Sequence, residues 1–135
     1  MAWLRGGELR ADAVECGSFD RPGFVSALRT LRAFTTEPID RFLPEIERRC
    51  AAAGVAFVVV KPFKGVALSG VSRWLTPRKA LIQQTLRHMA NDHFWFTFYH
   101  EAAHLLLQQA YRLAKSLPVE VRQATLHVPP AQLAG

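Results

Sequence analysis

The chain has 135 residues, half of them apolar and 21% charged, a composition that fits one compact domain and excludes a disordered chain. Its net charge of +6 comes from 17 cations, thirteen of them Arg, scattered from Arg5 to Arg122. With no helix-turn-helix or zinc-finger pattern, this scatter predicts a solvated basic surface and no direct DNA contact. No run of 18 apolar residues exists, which argues against a transmembrane helix, and MAWLRGGELRADA lacks the apolar stretch of a secretory signal. Two cysteines, Cys16 and Cys50, read as reduced thiols, and the expected compartment is the cytoplasm.

The reading along the chain is of a single domain over residues 1–135. Residues 1–22 are weakly patterned, with Gly6, Gly7, Gly17 and Pro22 as breakers. They read as an arm, or as the remnant of a preceding module. A helix is expected from about Pro22 to Phe34, where Phe24, Ala27, Leu28 and Leu31 share one face. Thr35 or Thr36 is placed to cap the next helix, with Pro38 in its first turn. That helix carries Ile39, Phe42, Leu43, Ile46, Cys50 and Ala53 as its apolar stripe, so Cys50 reads as a core residue. Pro44 interrupts it, and Gly54 is placed as its left-handed stop.

Val55–Val60, VAFVVV, is a short β-branched run and predicts a buried strand. Residues 66–72 and 80–86 predict two more strands, joined by a turn at Thr76-Pro77-Arg78-Lys79. Gln84 breaks the apolar pattern of the last one. Two helices followed by short-linked strands predict an α+β fold, with helices packed on a small, mostly antiparallel three-stranded sheet. Asn91-Asp92 then opens a long helix to about Lys115. Its FWFTFY lead-in, residues 94–99, is apolar nearly all round and predicts burial, with Trp95 and Phe98 in the core. Residues 116–135 read as an irregular tail.

The chemistry of the sequence lies in His100-Glu101-Ala102-Ala103-His104, an H-E-x-x-H motif on this helix. At 3.6 residues per turn, i and i+4 share a face, so both imidazoles reach one metal ion. Zn²⁺ accepts His nitrogens and keeps a position for water when three protein ligands hold it. Glu101, turned by roughly 100° from His100, flanks the ion without ligating it and serves as a base. For the third ligand two residues stand open. If the helix ends near Gln108, Glu120 comes within reach. If it runs to Lys115, Glu120 lies about 20 Å along the axis and His127 returns closer. The remaining alternative is that no third protein ligand exists.

LRGGELRA, GVAFVVV, GVSRWLTPRKALIQ and above all NDHFWFTFYHEAAHLLL resemble the ImmA/IrrE-type metallopeptidase domains, over about Leu4 to Leu107. Members are often fused behind a helix-turn-helix in toxin–antitoxin and phage-regulatory proteins. The resemblance implies a gluzincin-like α+β fold, zinc as cofactor on His100 and His104, and Glu101 as catalytic base. It further implies a zinc endopeptidase that cuts a regulatory protein. The alternative is a catalytically incomplete interaction domain that binds a partner regulator. The family's downstream E-x-x-A-x-x-F-A helix, which carries its third ligand, has no counterpart in KSLPVEVRQATLHV at residues 115–128. LHVPPAQLAG resembles the close of that helix, so the chain reads as a shortened member.

Overall fold

The β-branched run after Gly54 forms strand β1 (Val55–Val59) of a three-stranded sheet completed by β2 (Gly70–Thr76) and β3 (Lys79–Gln84). The computed structural model describes residues 2–61, 70–86 and 91–117. The strand order is β1-β3-β2. β2 and β3 form an antiparallel hairpin across Pro77-Arg78, as the turn signal predicts. β1, however, pairs parallel with β3, Val55 opposite Ala80 and Phe57 opposite Ile82. The sheet is therefore mixed rather than mostly antiparallel. The physical reason is burial: VAFVVV is apolar on both faces, and a strand covered on both sides suits a parallel pair. Of the expected second strand, residues 70–72 belong to β2, and residues 66–69 lie outside the described ones.

Among the described residues four helices complete the α+β fold: α1 (Ala2–Asp12), α2 (Arg21–Leu31), α3 (Ile39–Ala52) and α4 (Asn91–Ser116). A 3-10 turn at Arg32–Phe34 follows α2. The N-terminal segment is thus no irregular arm over residues 2–12. Trp3, Gly7 and Ala11 are buried at i, i+4 and i+8, and they lay this weak helix on the sheet. Polar ties hold it there. Gln83 Nε2 donates to the Trp3 carbonyl at 2.8 Å, and Lys79 Nζ donates to the Ala11 and Val14 carbonyls at 2.8 and 3.0 Å. Arg10 donates to the Val59 carbonyl.

Neither threonine caps α3. Pro38 is its N-cap, and Thr35 instead turns its hydroxyl back to the Arg32 carbonyl at 3.0 Å. Pro44 stands inside α3, where it removes one helical donor and frees the Asp40 carbonyl at an exposed residue that water can reach. Gly54 takes φ +89° and ends the helix as expected.

Side chains alternate along the strands, so the sheet has two covered faces. Ala56, Val58 and Leu81 meet Ala11 on the α1 side. Phe57 meets Phe94 and Phe98 of α4 on the other, with ring centroids 6.1 and 5.7 Å apart. Phe42 of α3 joins this second cluster through Phe94 and Trp95. Tyr99 ties α4 to α2 by donating its hydroxyl to the Leu28 carbonyl at 2.8 Å. Phe94, Trp95 and Phe98 are buried, but Phe96 is 73% exposed, so the lead-in is not buried all round. Its exposure follows from helix geometry, since residue 96 lies roughly 200° from both 94 and 98 around the axis.

The chain divides into two units, Met1–Leu105 and Leu106–Gly135. All contacts above belong to the first. In the second, the described residues continue α4 to Ser116 and Leu117, with Lys115 Nζ 4.6 Å over the Tyr111 ring and the Ser116 hydroxyl on the Leu113 carbonyl. No helix among the described residues is long and apolar enough to cross a membrane.

Candidate metal centre

His100, Glu101 and His104 come together on α4, with one candidate ligand atom from each lying within 4.8 Å of the others. This is the only such group of three among the described residues. The helix does this by its pitch alone: the two imidazoles stack one turn apart, with ring centroids 4.3 Å apart and planes tilted by 59°. Both face outward, the His104 side chain being 48% exposed. Phe96, one turn before, lies nearly parallel to His100 at 6.0 Å.

Glu101 differs from its neighbours. It is 8% exposed, on the flank of α4 that meets β2. Its Oε1 accepts the Ser72 hydroxyl at 2.8 Å and lies 3.4 Å from His104 Nδ1. A carboxylate carried so far out of water needs such a partner, since an unpaired buried acceptor costs about 1–3 kcal/mol or more.

The donor set fits zinc. Imidazole nitrogens held at roughly 2.0–2.1 Å from a tetrahedral ion stand about 3.4 Å apart, within a rotamer adjustment of the separations here. Two exposed imidazoles supply two such ligands, and the buried carboxylate adds a negative charge beside them.

The strand beside the site holds α4 in register. Gly70, Ser72 and Trp74 share one face of β2 and meet Thr97, Glu101 and Leu105 of α4 in turn. Two strand residues advance about 6.7 Å and four helical residues 6.0 Å, so successive rungs coincide. At Gly70 the approach is close enough that a Cβ would stand 2.6 Å from Thr97 Cγ2. At the far rung Trp74 Nε1 donates to the Leu105 carbonyl at 3.3 Å.

The sequence pattern brought out the His pair and Glu101, and the structure brings all three together. It missed Ser72, whose only signal is a hydroxyl residue between Gly70 and Trp74 on one strand face. α4 extends past Gln108 to Ser116, which removes the short-helix route for Glu120. Glu120 and His127 themselves lie outside the described residues. A cavity of about 660 Å³ lies elsewhere, along β1, lined by Val14, Leu43, Phe57 and Leu86 with Arg10 and Lys61. None of the metal-centre residues lines it. Comparison with family models, with curated proteins and with solved structures finds no match to this chain.

Proposed function

We propose that this chain is a zinc-dependent endopeptidase domain of the ImmA/IrrE type, acting on a peptide bond of a regulatory protein. The observation that carries the reading is the division of labour within one helical turn. Two solvent-facing imidazoles stand beside a buried carboxylate that a neighbouring strand holds in place. His100 and His104 would hold the zinc. When bound, the ion supplies Lewis acidity, which polarises a carbonyl and makes a water more acidic.

The chain's own residues do the rest. Glu101 accepts the proton of the attacking water and returns it to the leaving amine. Ser72 donates to Oε1 and holds the carboxylate beside His104. Phe96 lies against the His100 ring and restricts its plane. The polypeptide cut and its sequence preference belong to pocket shape rather than to the motif.

The test is metal content paired with cleavage. Purified protein is expected to hold about one zinc per chain. His104→Ala should release it. Glu101→Gln should keep it while abolishing cleavage of a mixed peptide library, because an amide cannot take the proton. Loss of zinc from Glu101→Gln would make Glu101 a ligand. Zinc held without any cleavage by the wild type would give the interaction-domain reading. A wild type that stays metal-free after incubation with zinc overturns the peptidase reading and makes the site vestigial.

A further inference from the structure

The proposed chemistry asks a buried carboxylate to stay beside two metal-binding imidazoles without swinging onto the ion or collapsing onto His104. Nothing on α4 itself prevents either motion. Glu101 Oε1 already lies 3.4 Å from His104 Nδ1, and its carboxylate lies within 4.8 Å of the donor atoms of both histidines. The carboxylate accepts its hydrogen bond from another element, the Ser72 hydroxyl of β2 at 2.8 Å.

We infer that Ser72 is the positioning residue of this centre, the group that keeps Glu101 a proton carrier and not a metal ligand. The inference rests on the metal-centre reading above and adds a residue that the H-E-x-x-H spacing does not contain.

Three features make Ser72 suited to that role. First, it is the middle rung of the β2–α4 register, with Gly70 against Thr97 on one side and Trp74 bonded to Leu105 on the other. A two-residue strand step and a four-residue helix step differ by under about 1 Å, so Ser72 cannot slide relative to Glu101 without breaking its neighbours. Second, the strand is braced from behind. Arg73, the next residue, points to the opposite face, where its NH2 donates to the Leu4 carbonyl and its NH1 pairs with Glu8, both at 2.9 Å. The α1 helix thus fixes β2 from one face while Ser72 works on the other. Third, the chemistry is directional. A hydroxyl has one proton to donate, and Glu101 Oε1 receives it. That oxygen also lies 3.4 Å from His104 Nδ1, so the bond acts on the carboxylate where it faces the imidazole.

A merely structural serine would satisfy a buried acceptor and nothing more. A positioning serine predicts coupling to Glu101 in the behaviour of the metal. The experiment is a double-mutant cycle on zinc affinity, read by competition with a chromogenic chelator, using wild type, Ser72→Ala, Ser72→Thr, Glu101→Ala and Ser72→Ala/Glu101→Ala. Partners that orient a metal centre from outside its ligand set typically change affinity or activity 10–100-fold when removed. Ser72→Ala, which frees the Glu101 carboxylate to move onto the ion or onto His104, is therefore expected to change zinc affinity about tenfold. Ser72→Thr, which keeps the hydroxyl, should stay within about twofold of wild type. On a Glu101→Ala background the Ser72→Ala change should have no further effect. On a peptide from the library that the wild type cleaves, Ser72→Ala should lower kcat and leave KM near the wild-type value.

Additive effects of the two alanine changes, or a threonine variant that departs from wild type as far as the alanine one, overturn the role of Ser72 and leave the metal reading standing. A wild type that binds no zinc overturns the metal reading, and this inference falls with it. Circular dichroism of each variant separates a folding defect from a site defect. If Ser72→Ala does not fold, Ser72→Val replaces it, since it matches threonine in shape and carries no donor, and the same outcomes apply.

Discussion

Gln84, fully buried at the end of β3, donates its Nε2 to the Phe94 carbonyl in the first turn of α4 at 3.3 Å, while its Oε1 has no hydrogen-bond partner among the described residues. The bond fixes where the motif helix begins. It also carries an unsatisfied acceptor, whose desolvation offsets much of what the donor side gains. Replacement by Leu removes both, and Gln84→Leu is expected to change unfolding free energy by less than about 1 kcal/mol. Gln84→Ala leaves a cavity as well and should cost about 2–3 kcal/mol. Urea denaturation of the two variants beside the wild type checks the difference.

Phe98 is fully buried among Phe57, Trp95 and Tyr99, at centroid separations of 5.7, 5.8 and 5.3 Å. Phe98→Ala should cost about 3–5 kcal/mol, enough to unfold a domain whose whole stability is about 5–15 kcal/mol. Phe96→Ala, two residues away but 73% exposed, should shift stability by no more than about 0.5 kcal/mol. Thermal melts followed by circular dichroism distinguish the two. Equal losses would mean that the aromatic lead-in is not divided into a core side and a solvent side.

Gly54 holds φ +89° against the backbone of Phe19, which leaves no room for a Cβ. Gly54→Ala combines left-handed strain of about 1–2 kcal/mol with a clash against main chain that cannot swing aside. The variant should lose at least about 2 kcal/mol by urea titration. A smaller loss would show that the Ser18–Phe19 segment yields.

Burial pushes the Cys50 thiol from its ordinary 9.0 up to about 12, with the nearby Cys16 adding to the effect. The folded chain therefore holds this proton more tightly than the unfolded one. The resulting stability is fully present below about pH 9, falls as pH rises, and is gone at about pH 12. Between these limits Cys50 alone contributes a decline of up to about 1.4 kcal/mol per pH unit. Denaturation at pH 7, 9 and 10 should show the decline. Cys50→Ala should be less stable at pH 7 and flatter above pH 9, with a residual slope from Cys16 and Tyr99, whose pKa values burial also raises. An unchanged slope in Cys50→Ala would remove Cys50 as its source.

What the sequence made legible is what short-range periodicity encodes. The four-residue spacing of His100 and His104, the buried Phe42, Ile46 and Cys50 of α3 and the stop at Gly54 are local patterns, and the structure has them where the residues put them, whereas Ile39 of the expected stripe is exposed. Strand pairing is a long-range property. Nothing near Val55–Val59 says that β3 rather than β2 lies beside it, although the doubly apolar run was a hint of a parallel partner. α1 escaped notice because Gly7 and Ala11 are small, so its buried stripe does not read as hydrophobic. Gln83 and Gln84 look like faults in a strand and are instead ties to helices on opposite faces, one to Trp3 and one to Phe94. Ser72 was invisible for the same reason: its meaning lies 29 residues away, on Glu101.

The outward face of His100 and His104 separates two things that small metalloproteins often combine. The aromatic cluster of Phe42, Phe57, Phe94, Trp95 and Phe98 closes the core on the inner side of the helix, and neither His100 nor His104 is part of it. A cation held by the histidines would arrive from bulk solvent and leave by the same route, with no unfolding step between. Its exchange would be set by ligand number and by competing chelators, and the empty and loaded chains would share one fold. Unlike a zinc finger, such an architecture would not depend on a cation for its core.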